Sequence, residues 1–343
     1  MNSKKSVLLI YTGGTIGMIR RESDGSLIPL ELNNMYHYHP VLESLPVKID
    51  LVSMENIIDS SDMNPEFWKD LVEIIESNYL KYDGFVILHG SDTMAYTASV
   101  LSFMLENLNK PVILTGSQLP LGMVRSDGRE NLINAIEVAA AYDEDTALVP
   151  EVAICFENRI FRGNRTSKIN AENFNAFISG NYPLLGEIGV KIKFNNAFIA
   201  KPSFKNLKVH KTLSPRVGIL KLFPGMPDAY TRPVLLQEDL DVIILETFGS
   251  GNAPTTSSFV KTIHEAVSSG KVLFNVTQCK GGMVEMGKYA ASLPLMNLGV
   301  VSGNDITTEA AIAKAMFLLG QGYREKDLAT MLQKPLRGEM NPS

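Results

Sequence analysis

The sequence VLLIYTGGTIG, which covers Val7 to Gly17, sets the architecture of the chain. Its first part, Val7 to Tyr11, is a short run of apolar and β-branched residues, which is typical of a buried strand. Its second part, Thr12 to Gly17, contains three glycines and two threonines, so the backbone is expected to turn sharply as soon as the strand ends. In open α/β sheets ligands bind at the carboxyl ends of the strands, and this turn is therefore a candidate functional site.

The same kind of apolar run recurs along the chain, with segments of helical periodicity between the runs. Such alternation predicts an α/β protein with a parallel sheet. Asn64 and Pro65 give the clearest helix start, because Asn is a good N-cap and Pro fits the first helical position. The further predicted strands are Phe85 to Leu88, Val112 to Leu114, Val152 to Phe156, Val217 to Leu220, Val242 to Leu245 and Val272 to Val276, and the further predicted helices cover about 93–105, 127–141, 255–267 and 307–319.

The length of the chain predicts two domains, because 343 residues is more than twice the ~150 residues typical of one domain. From about residue 181 to 214 the sequence contains Gly, Pro, Asn and Lys without sustained periodicity, which indicates a connecting segment. We predict an N-terminal domain over residues 1–190, a linker over 191–214 and a smaller C-terminal α/β domain over 215–343.

Composition and charge exclude several classes of protein. The 32 Lys and Arg residues are scattered among 37 Asp and Glu residues, giving a net charge of −5, so nucleic acid is not an expected partner. No apolar run approaches the ~20 residues that span a bilayer, and the run before Thr12 is shorter than the apolar core of a secretory signal. We therefore expect a cytoplasmic protein without membrane contact. Cys155 and Cys279 fit a reducing compartment, and no Cys or His spacing indicates a metal site.

Two interpretations of Thr15 are open on the residues alone. Its hydroxyl lies at the rim of the predicted turn, where it can act as a nucleophile; alternatively, the threonines only close the turn as helix caps. A dinucleotide fingerprint does not fit, because the glycines fall at positions 13, 14 and 17 and not in a Gly-x-Gly-x-x-Gly pattern. The segment that follows, Met18 to Pro29, is charged and contains glycine, as a mobile lid would.

A second polar cluster, His89 to Thr93, follows the predicted strand Phe85 to Leu88 and opens a helix. Ser91 and Asp92 there either cap the helix or supply a hydroxyl and a carboxylate to a site at its N-terminus. His89, at the end of an apolar run, is interpreted as a core histidine whose hydrogen bonds are satisfied.

Two further segments complete the set of candidates. Arg162 to Lys168 is either a solvated loop or the source of a buried lysine, Lys168, that acts as a base on a serine hydroxyl while Asp92 orients it. Asp59 to Asp62 offers hydroxyl and N–H groups suited to binding a carboxylate.

The motifs that carry a family resemblance are Thr12 to Gly17, His89 to Ser99 (HGSDTMAYTAS), Thr115 to Gln118, Arg125 to Gly128, Arg162 to Lys168 and Gly251 to Pro254. Together they resemble the bacterial cytoplasmic (type I) L-asparaginases over nearly the whole chain, about residues 5–339. The resemblance implies a larger N-terminal domain with a mixed, mostly parallel sheet and a smaller C-terminal α/β domain. It also implies a homodimer or homotetramer in which each active site includes part of the neighbour's C-terminal domain.

The resemblance further implies a reaction and a set of residue roles. Such enzymes hydrolyse L-asparagine to L-aspartate and ammonia through a threonine acyl-enzyme, without a metal or organic cofactor. By position, Thr15 takes the place of the nucleophile, and Ser91, Asp92 and Lys168 take the places of the family's Thr-Asp-Lys group. The expected substrate-binding residues are Asp59, Ser60, Ser61, Ser91 and Asp92.

The chain departs from the family pattern at two places. Ser91 replaces the usual Thr, which keeps the hydroxyl but loses the β-methyl that restricts its rotamer. Many members carry a Tyr in the loop after the nucleophile, whereas Met18 to Pro29 contains none and Leu27 occupies its place. The group that activates Thr15 is therefore open, and Tyr289 of a neighbouring subunit is one candidate for the missing phenol.

Two other functions are kept as alternatives. A glutamyl-tRNA amidotransferase subunit shares the asparaginase core, but such subunits usually present a basic RNA-binding surface, which a net charge of −5 does not indicate. A non-catalytic amino-acid sensor would keep the pocket and lack a catalytic group, whereas this chain has Thr15, Ser91, Asp92 and Lys168 together. The sequence leaves substrate affinity, glutaminase side activity and allosteric regulation open.

Overall fold

The computed structural model describes residues 4–20, 24, 27–29, 40–121, 123–203 and 205–342. The chain forms two compact units, Met1–Lys211 and Thr212–Ser343, called unit 1 and unit 2 below. Each unit has its own sheet and its own helices, which confirms the predicted two-domain α/β class. No helix among the described residues is long and apolar enough to cross a membrane.

Unit 1 is built on a mixed sheet of eight strands. Unit 1 also has short strands that pair outside this sheet. All the described strands of the unit, inside and outside the sheet, are β1 (Lys5–Tyr11), β2 (Met18–Arg20), β3 (Leu27–Pro29), β4 (Val47–Ser53), β5 (Gly84–Leu88), β6 (Leu105–Glu106), β7 (Val112–Thr115), β8 (Tyr142–Asp143), β9 (Thr146–Ala147), β10 (Val152–Phe156), β11 (Arg159–Arg162), β12 (Ser167–Lys168), β13 (Phe177–Ile178), β14 (Gly186–Ile188), β15 (Ile192–Phe194) and β16 (Lys208–Val209). The eight-stranded sheet has the order β15-β14-β11-β10-β7-β5-β1-β4. The strands from β10 to β4 run parallel, and β11, β14 and β15 extend the sheet in antiparallel pairs. The mostly parallel mixed sheet is therefore confirmed.

Burial on both faces explains the continuous apolar runs in the middle of this sheet. Every residue of β5, β7 and β10 is buried, as expected for parallel strands with helices on both sides. The helices that the described residues of unit 1 form are α1 (Pro65–Asn78), α2 (Met94–Met104) and α3 (Gly128–Ala139). At the start of α1 the Asn64 side chain accepts a hydrogen bond from the Phe67 N–H at 3.0 Å, which confirms the predicted cap.

The end of unit 1 differs from the predicted domain boundary. The predicted linker over residues 191–214 contains β15, the edge strand of the large sheet, and β16, which pairs with β6. The chain therefore divides between Lys211 and Thr212, and not at residue 190. Strands of two or three residues are too short to produce a recognisable period, so the sequence pattern resembles an unstructured connection.

Unit 2 is a smaller parallel α/β structure. Its strands β17 (Val217–Lys221), β18 (Val242–Thr247), β19 (Val272–Thr277) and β20 (Val301–Ser302) pair in that order, all in parallel. The predicted strands in this half are confirmed, each extended by one or two residues. The helices are α4 (Asp228–Leu235), α5 (Ser257–Ser268), α6 (Leu293–Asn297), α7 (Thr308–Gly320) and α8 (Glu325–Leu332).

A buried ion pair holds the C-terminal segment onto unit 2. Lys314 on α7 and Glu339 lie 2.7 Å apart, and both side chains are 0% exposed. The Lys314 ammonium also donates to the carbonyl oxygens of Leu332 and Lys334, at 2.8 and 2.6 Å. Glu339 in turn accepts hydrogen bonds from backbone N–H groups of the turn that precedes it. Both buried charges thus have the partners that such burial requires.

Candidate active site

The turns after neighbouring parallel strands meet at one edge of the large sheet. After β1, the backbone N–H and the hydroxyl of Thr12 both donate to the carbonyl oxygen of Leu88, the last residue of β5, at 3.1 and 3.0 Å. The carbonyl of Thr12 accepts from the N–H of Ile58, in the segment after β4, at 3.3 Å. Three segments that follow adjacent strands are therefore joined by hydrogen bonds at the edge where ligands of such sheets bind.

Two glycines allow the backbone at this edge to pack closely. Gly13 and Gly14 have φ values of +126° and +80°, a conformation that favours glycine. A Cβ atom on Gly13 would collide with the carbonyl oxygen of Ile58, and one on Gly14 would lie 2.5 Å from the Cα of Gly90. The turn that carries Thr15 is thus pressed directly against the turn that carries Ser91.

Thr15 begins a short 3-10 turn, Thr15–Gly17, and is half-buried. The N-cap of this turn is Gly14, without a side-chain cap, and the Thr12 hydroxyl is bonded to Leu88 instead. The alternative interpretation, in which the threonines close the turn as caps, is therefore wrong. In the predicted lid, the backbone of β2 pairs with that of β3 as an antiparallel hairpin. Apart from Asp24, the rest of the lid and the side chain of Leu27 lie outside the described residues.

Lys168 joins Ser91 and Asp92. The Lys168 ammonium donates to Ser91 Oγ at 2.8 Å and lies 2.6 Å from Asp92 Oδ1. Its side chain is 15% exposed, whereas that of Asp92 is 71% exposed. The N-cap of helix α2 is Thr93, again without a side-chain cap, so the interpretation of Ser91 and Asp92 as a capping pair is wrong. The solvated-loop interpretation of Lys168 is wrong as well, since its ammonium is bound at the site.

The segment after β4 presents a serine turn beside Ser91. Asp59 accepts hydrogen bonds from the N–H and the hydroxyl of Ser61, at 2.9 and 2.7 Å, and these bonds lower the pKa of the Asp59 carboxyl below its usual value. Ser60 is buried, and its Oγ would lie only 2.5 Å from a Cβ on Gly90. The hydroxyl of Thr93 donates to the Ser60 carbonyl at 2.6 Å. Asp59 therefore shapes this turn, while the hydroxyl of Ser61 stays at the exposed surface.

His89 fixes the peptide between Gly90 and Ser91. The ring Nδ1 lies 2.7 Å from the Gly90 carbonyl, which can only accept, so Nδ1 carries the proton. Nε2 therefore accepts a hydrogen bond from the Thr97 hydroxyl at 2.9 Å, and Thr97 Oγ1 in turn accepts from the indole N–H of Trp68. Burial lowers the pKa of His89 to about 4, so the ring is neutral, and its prediction as a satisfied core histidine is confirmed. Because the two polar groups of a trans peptide point in opposite directions, the N–H of Ser91 faces away from the imidazole.

Gln118 lies beside Ser91, whereas Tyr289 lies in unit 2. Gln118, which the sequence predicts only as part of the motif Thr115 to Gln118, lies in the segment directly after β7, and its Oε1 is 3.4 Å from Ser91 Oγ. Its position after a parallel strand was the available signal. Tyr289 belongs to unit 2, where its side chain is exposed and its ring lies 6.0 Å from Lys288 Nζ. No group of three or more His, Cys, Asp or Glu side chains within the described ranges is arranged to hold a metal ion.

The fold and this site define a class of protein. A threonine on a glycine turn, a second hydroxyl bonded to a lysine–aspartate pair, and a serine turn lie at the carboxyl edge of a mostly parallel sheet, an arrangement typical of a hydrolase. Comparison with known families agrees: residues 6–200 match the N-terminal domain model of asparaginase, and residues 216–332 match the glutaminase/asparaginase C-terminal domain model. The chain belongs to the asparaginase family.

Individual relatives are similar over the full length of the chain. L-asparaginase 1 of Escherichia coli K12 is 43% identical over 99% of both chains. The crystal structure of L-asparaginase I from Vibrio cholerae has a TM-score of 0.86 at 41% identity, covering 98% of this chain and 99% of that one. The 60 kDa lysophospholipase of Mus musculus is 41% identical over 99% of this chain, which spans 63% of that relative's length.

Proposed function

We propose that this protein hydrolyses L-asparagine to L-aspartate and ammonia, with Thr15 as the nucleophile. The observation that carries the proposal is the pair of short bonds from the Lys168 ammonium to Ser91 and Asp92, next to the glycine turn that presents Thr15. The full-length similarity to L-asparaginase 1 of Escherichia coli supports the choice of substrate. The threonine mechanism is general to the family.

In the first step, Thr15 Oγ attacks the carbon of the substrate's side-chain amide. The C–N bond breaks, the proton of the Thr15 hydroxyl ends on the leaving nitrogen, and ammonia departs from a threonine ester. The N–H of Ser91 is a candidate donor to the oxyanion, because the bond from His89 to the Gly90 carbonyl fixes that peptide. A donor of this kind contributes roughly 3 kcal/mol to the transition state.

In the second step, water attacks the ester and releases aspartate. Ser91 accepts a hydrogen bond from Lys168, which polarises its hydroxyl, and Asp92 holds the ammonium in place. In this arrangement Ser91 positions the water and relays its proton, and the Thr15 hydroxyl is regenerated.

The two ends of the substrate have separate partners. Its α-carboxylate is bound at the serine turn by the Ser60 hydroxyl beside Gly90, while the N–H and hydroxyl of Ser61 are donated to Asp59 and shape the turn. Its α-ammonium is bound by the exposed carboxylate of Asp92. Glutamine is one methylene longer, so its amide carbon is displaced by roughly 1 Å, and a misplacement of that size costs about 100-fold in rate.

The assembly and the activator of Thr15 belong to the same proposal. The protein forms a homodimer or homotetramer in the cytoplasm, and Tyr289 of a neighbouring subunit supplies the phenol that Leu27 does not. The exposure of the Tyr289 side chain, 52%, supports its role at an interface. Both cysteines are free thiols, which supports a reducing compartment.

The oligomeric state is measured by light scattering. Hybrids of Thr15→Ala and Tyr289→Phe subunits should regain activity on mixing and refolding if the phenol crosses the interface.

The proposed reaction is tested by measuring ammonia release from L-asparagine by the purified protein. Thr15→Ala should abolish release while the melting temperature stays within a few degrees, because a half-buried hydroxyl contributes little core volume. Thr146→Ala, at an exposed position in unit 1, is the matched control and should behave as the parent. Binding of asparagine without ammonia release would instead indicate a sensor, and ammonia release only in the presence of glutamyl-tRNA would indicate an amidotransferase subunit.

A further inference from the structure

Gln118 connects Ser91 to the hairpin that carries Lys168. Its side-chain oxygen lies 3.4 Å from Ser91 Oγ, and its side-chain nitrogen donates to the Asn173 carbonyl at 3.0 Å. Asn173 lies between β12, which ends at Lys168, and β13, which pairs with it. The hydrogen bonds therefore form a closed ring: Lys168 to Ser91, Ser91 to Gln118, Gln118 to Asn173, and back along the hairpin.

The directions of these bonds are fixed by their chemistry. A backbone carbonyl only accepts, so the nitrogen of the Gln118 amide faces Asn173 and its oxygen faces Ser91. An amide oxygen also only accepts, so Ser91 must donate its proton to Gln118. The ammonium of Lys168 donates to the same Oγ from another side, at 2.8 Å. The Ser91 hydroxyl is thus oriented, with its proton directed at Gln118 and its oxygen facing Lys168.

Both ends of this bridge are themselves held in place. The carboxylate of Asp127 accepts from the N–H of Gln118 at 3.0 and 3.1 Å and from the N–H of Leu119 at 3.3 Å. On the other side, the side chain of Asn170 accepts from the N–H of Asn173 at 2.8 Å, which sets the direction of that turn. Gln118 is consequently a braced connection, and not a free surface side chain.

We propose that Gln118 is a positioning residue for the hydrolytic reaction, which holds the Ser91 hydroxyl in the one orientation that serves the water step. The inference rests on the proposed function, since it assumes that Ser91 and Lys168 act on the substrate. A serine lacks the β-methyl that restricts the rotamer of threonine, so at this position the orientation needs an external partner. The bond from Ser91 to Gln118 is 3.4 Å long, and hydrogen bonds between catalytic groups tighten when substrate binds.

The test is Gln118→Met, which keeps the length of the side chain and removes both of its bonds. We expect kcat for asparagine to fall about 10- to 100-fold, because a small misplacement of a reacting group has that effect, while KM changes less than threefold. The second substitution is Ser91→Thr, measured both alone and in the Gln118→Met background. In the Gln118→Met background, Ser91→Thr should raise kcat at least tenfold above that of Gln118→Met alone, because the methyl of threonine then restricts the rotamer. A merely structural role for Gln118 gives no such rescue.

Controls separate the possible failures. Gln333→Met, on the exposed surface of unit 2, is the matched control and should leave kcat unchanged. Asp127→Asn loosens the same bridge through the Gln118 backbone and keeps the test available if Gln118→Met does not fold; it should show the same rescue by Ser91→Thr. If Ser91→Ala is inactive and Gln118→Met is within twofold of the parent, or if Ser91→Thr gives no rescue, the role of Gln118 is refuted and the proposed function stands. If Ser91→Ala retains full activity, the proposed role of Ser91 is refuted and this inference with it.

Discussion

Lys168 in unit 1 and Lys314 in unit 2 form ion pairs of nearly equal length in opposite surroundings. Lys168 lies 2.6 Å from Asp92, whose side chain is 71% exposed, and it shares its donors with the Ser91 hydroxyl. Lys314 lies 2.7 Å from Glu339, both side chains are 0% exposed, and two backbone carbonyls take its other donors. Burial lowers the pKa of Lys314, and the attraction of Glu339 opposes part of that decrease.

The difference separates a lysine enclosed by its partners from a lysine whose partners remain open to a ligand. Lys314 donates to a carboxylate and two carbonyls in a site closed to solvent, so its pair can only hold the chain together. The partner of Lys168 remains open to water and small ligands, and its second bond goes to a hydroxyl that can exchange a proton. Bond length does not distinguish the two pairs, whereas the exposure of the partner and the identity of the third group do.

The contrast between Lys168 and Lys314 predicts that the largest loss of activity follows substitution of Lys168. Lys168→Met should lower kcat by about 1,000-fold or more, because general acid–base groups contribute 100- to 10,000-fold. The melting temperature should change little, since a pair with an exposed partner contributes little to stability. Lys193→Met, at an exposed position in the same unit, should match the parent in both measurements. A loss of less than tenfold in kcat would mean that Lys168 is no more than a structural lysine.

For Lys314 we expect a large loss of stability. Lys314→Met leaves the Glu339 carboxylate buried without its cation and should lower the free energy of unfolding by about 3–5 kcal/mol, or prevent folding. Urea denaturation monitored by circular dichroism gives the value. Lys261→Met, on the exposed face of α5, should stay within about 0.5 kcal/mol of the parent. A change of similar size in both variants would contradict the contrast between the two lysines.

The pH dependence of stability tests a third buried group, His89, which stays neutral. Its folded pKa of about 4 lies below the ~6.5 of an unfolded histidine, so its contribution is fully present above pH 6.5 and is lost as pH falls towards 4. The expected loss in free energy of unfolding over that range is about 3 kcal/mol. His89→Asn should flatten this part of the profile, and His264→Gln, at an exposed position in unit 2, should not. An unchanged profile in His89→Asn would show that other groups cause the loss.

The smallest effect is expected for Ser91→Thr in the parent background. The substitution keeps the hydroxyl that bonds Lys168 and adds one methyl, so kcat and KM should each stay within threefold of the parent. Steady-state assays with asparagine measure both. A fall of tenfold or more would show that the site has no room for the methyl, and that the serine is a requirement of this chain.

Sequence patterns were sufficient for the parts of the site that follow parallel strands. β1 and β5 are buried or nearly so on both faces, so each gives a continuous apolar run that ends where the polar cluster begins. The Thr15 and Ser91 turns could therefore be located, and their alignment at one edge follows from the parallel topology.

Other parts of the site depend on contacts that no local pattern records. Lys168 does not directly follow β10, because the antiparallel strand β11 and a 3-10 turn intervene before β12. The bond from Gln118 to Asn173 joins residues 55 positions apart, and the Asp127 carboxylate reaches back to Gln118 without capping its own helix. Short antiparallel strands give no period, and such distant side-chain bonds appear only once the chain is folded.

The contact between Gly14 and Gly90 has a consequence for how the protein acquires activity. The Thr12 hydroxyl and the Leu88 carbonyl that accompany this contact are 76 positions apart, so the two turns meet only after the central strands have paired. Pairings between segments so distant along the chain form late and slowly. During refolding, ammonia release should therefore recover only when the large sheet is complete, after most of the helical circular dichroism signal has returned. The recovery of activity would then report the last stage of folding in unit 1.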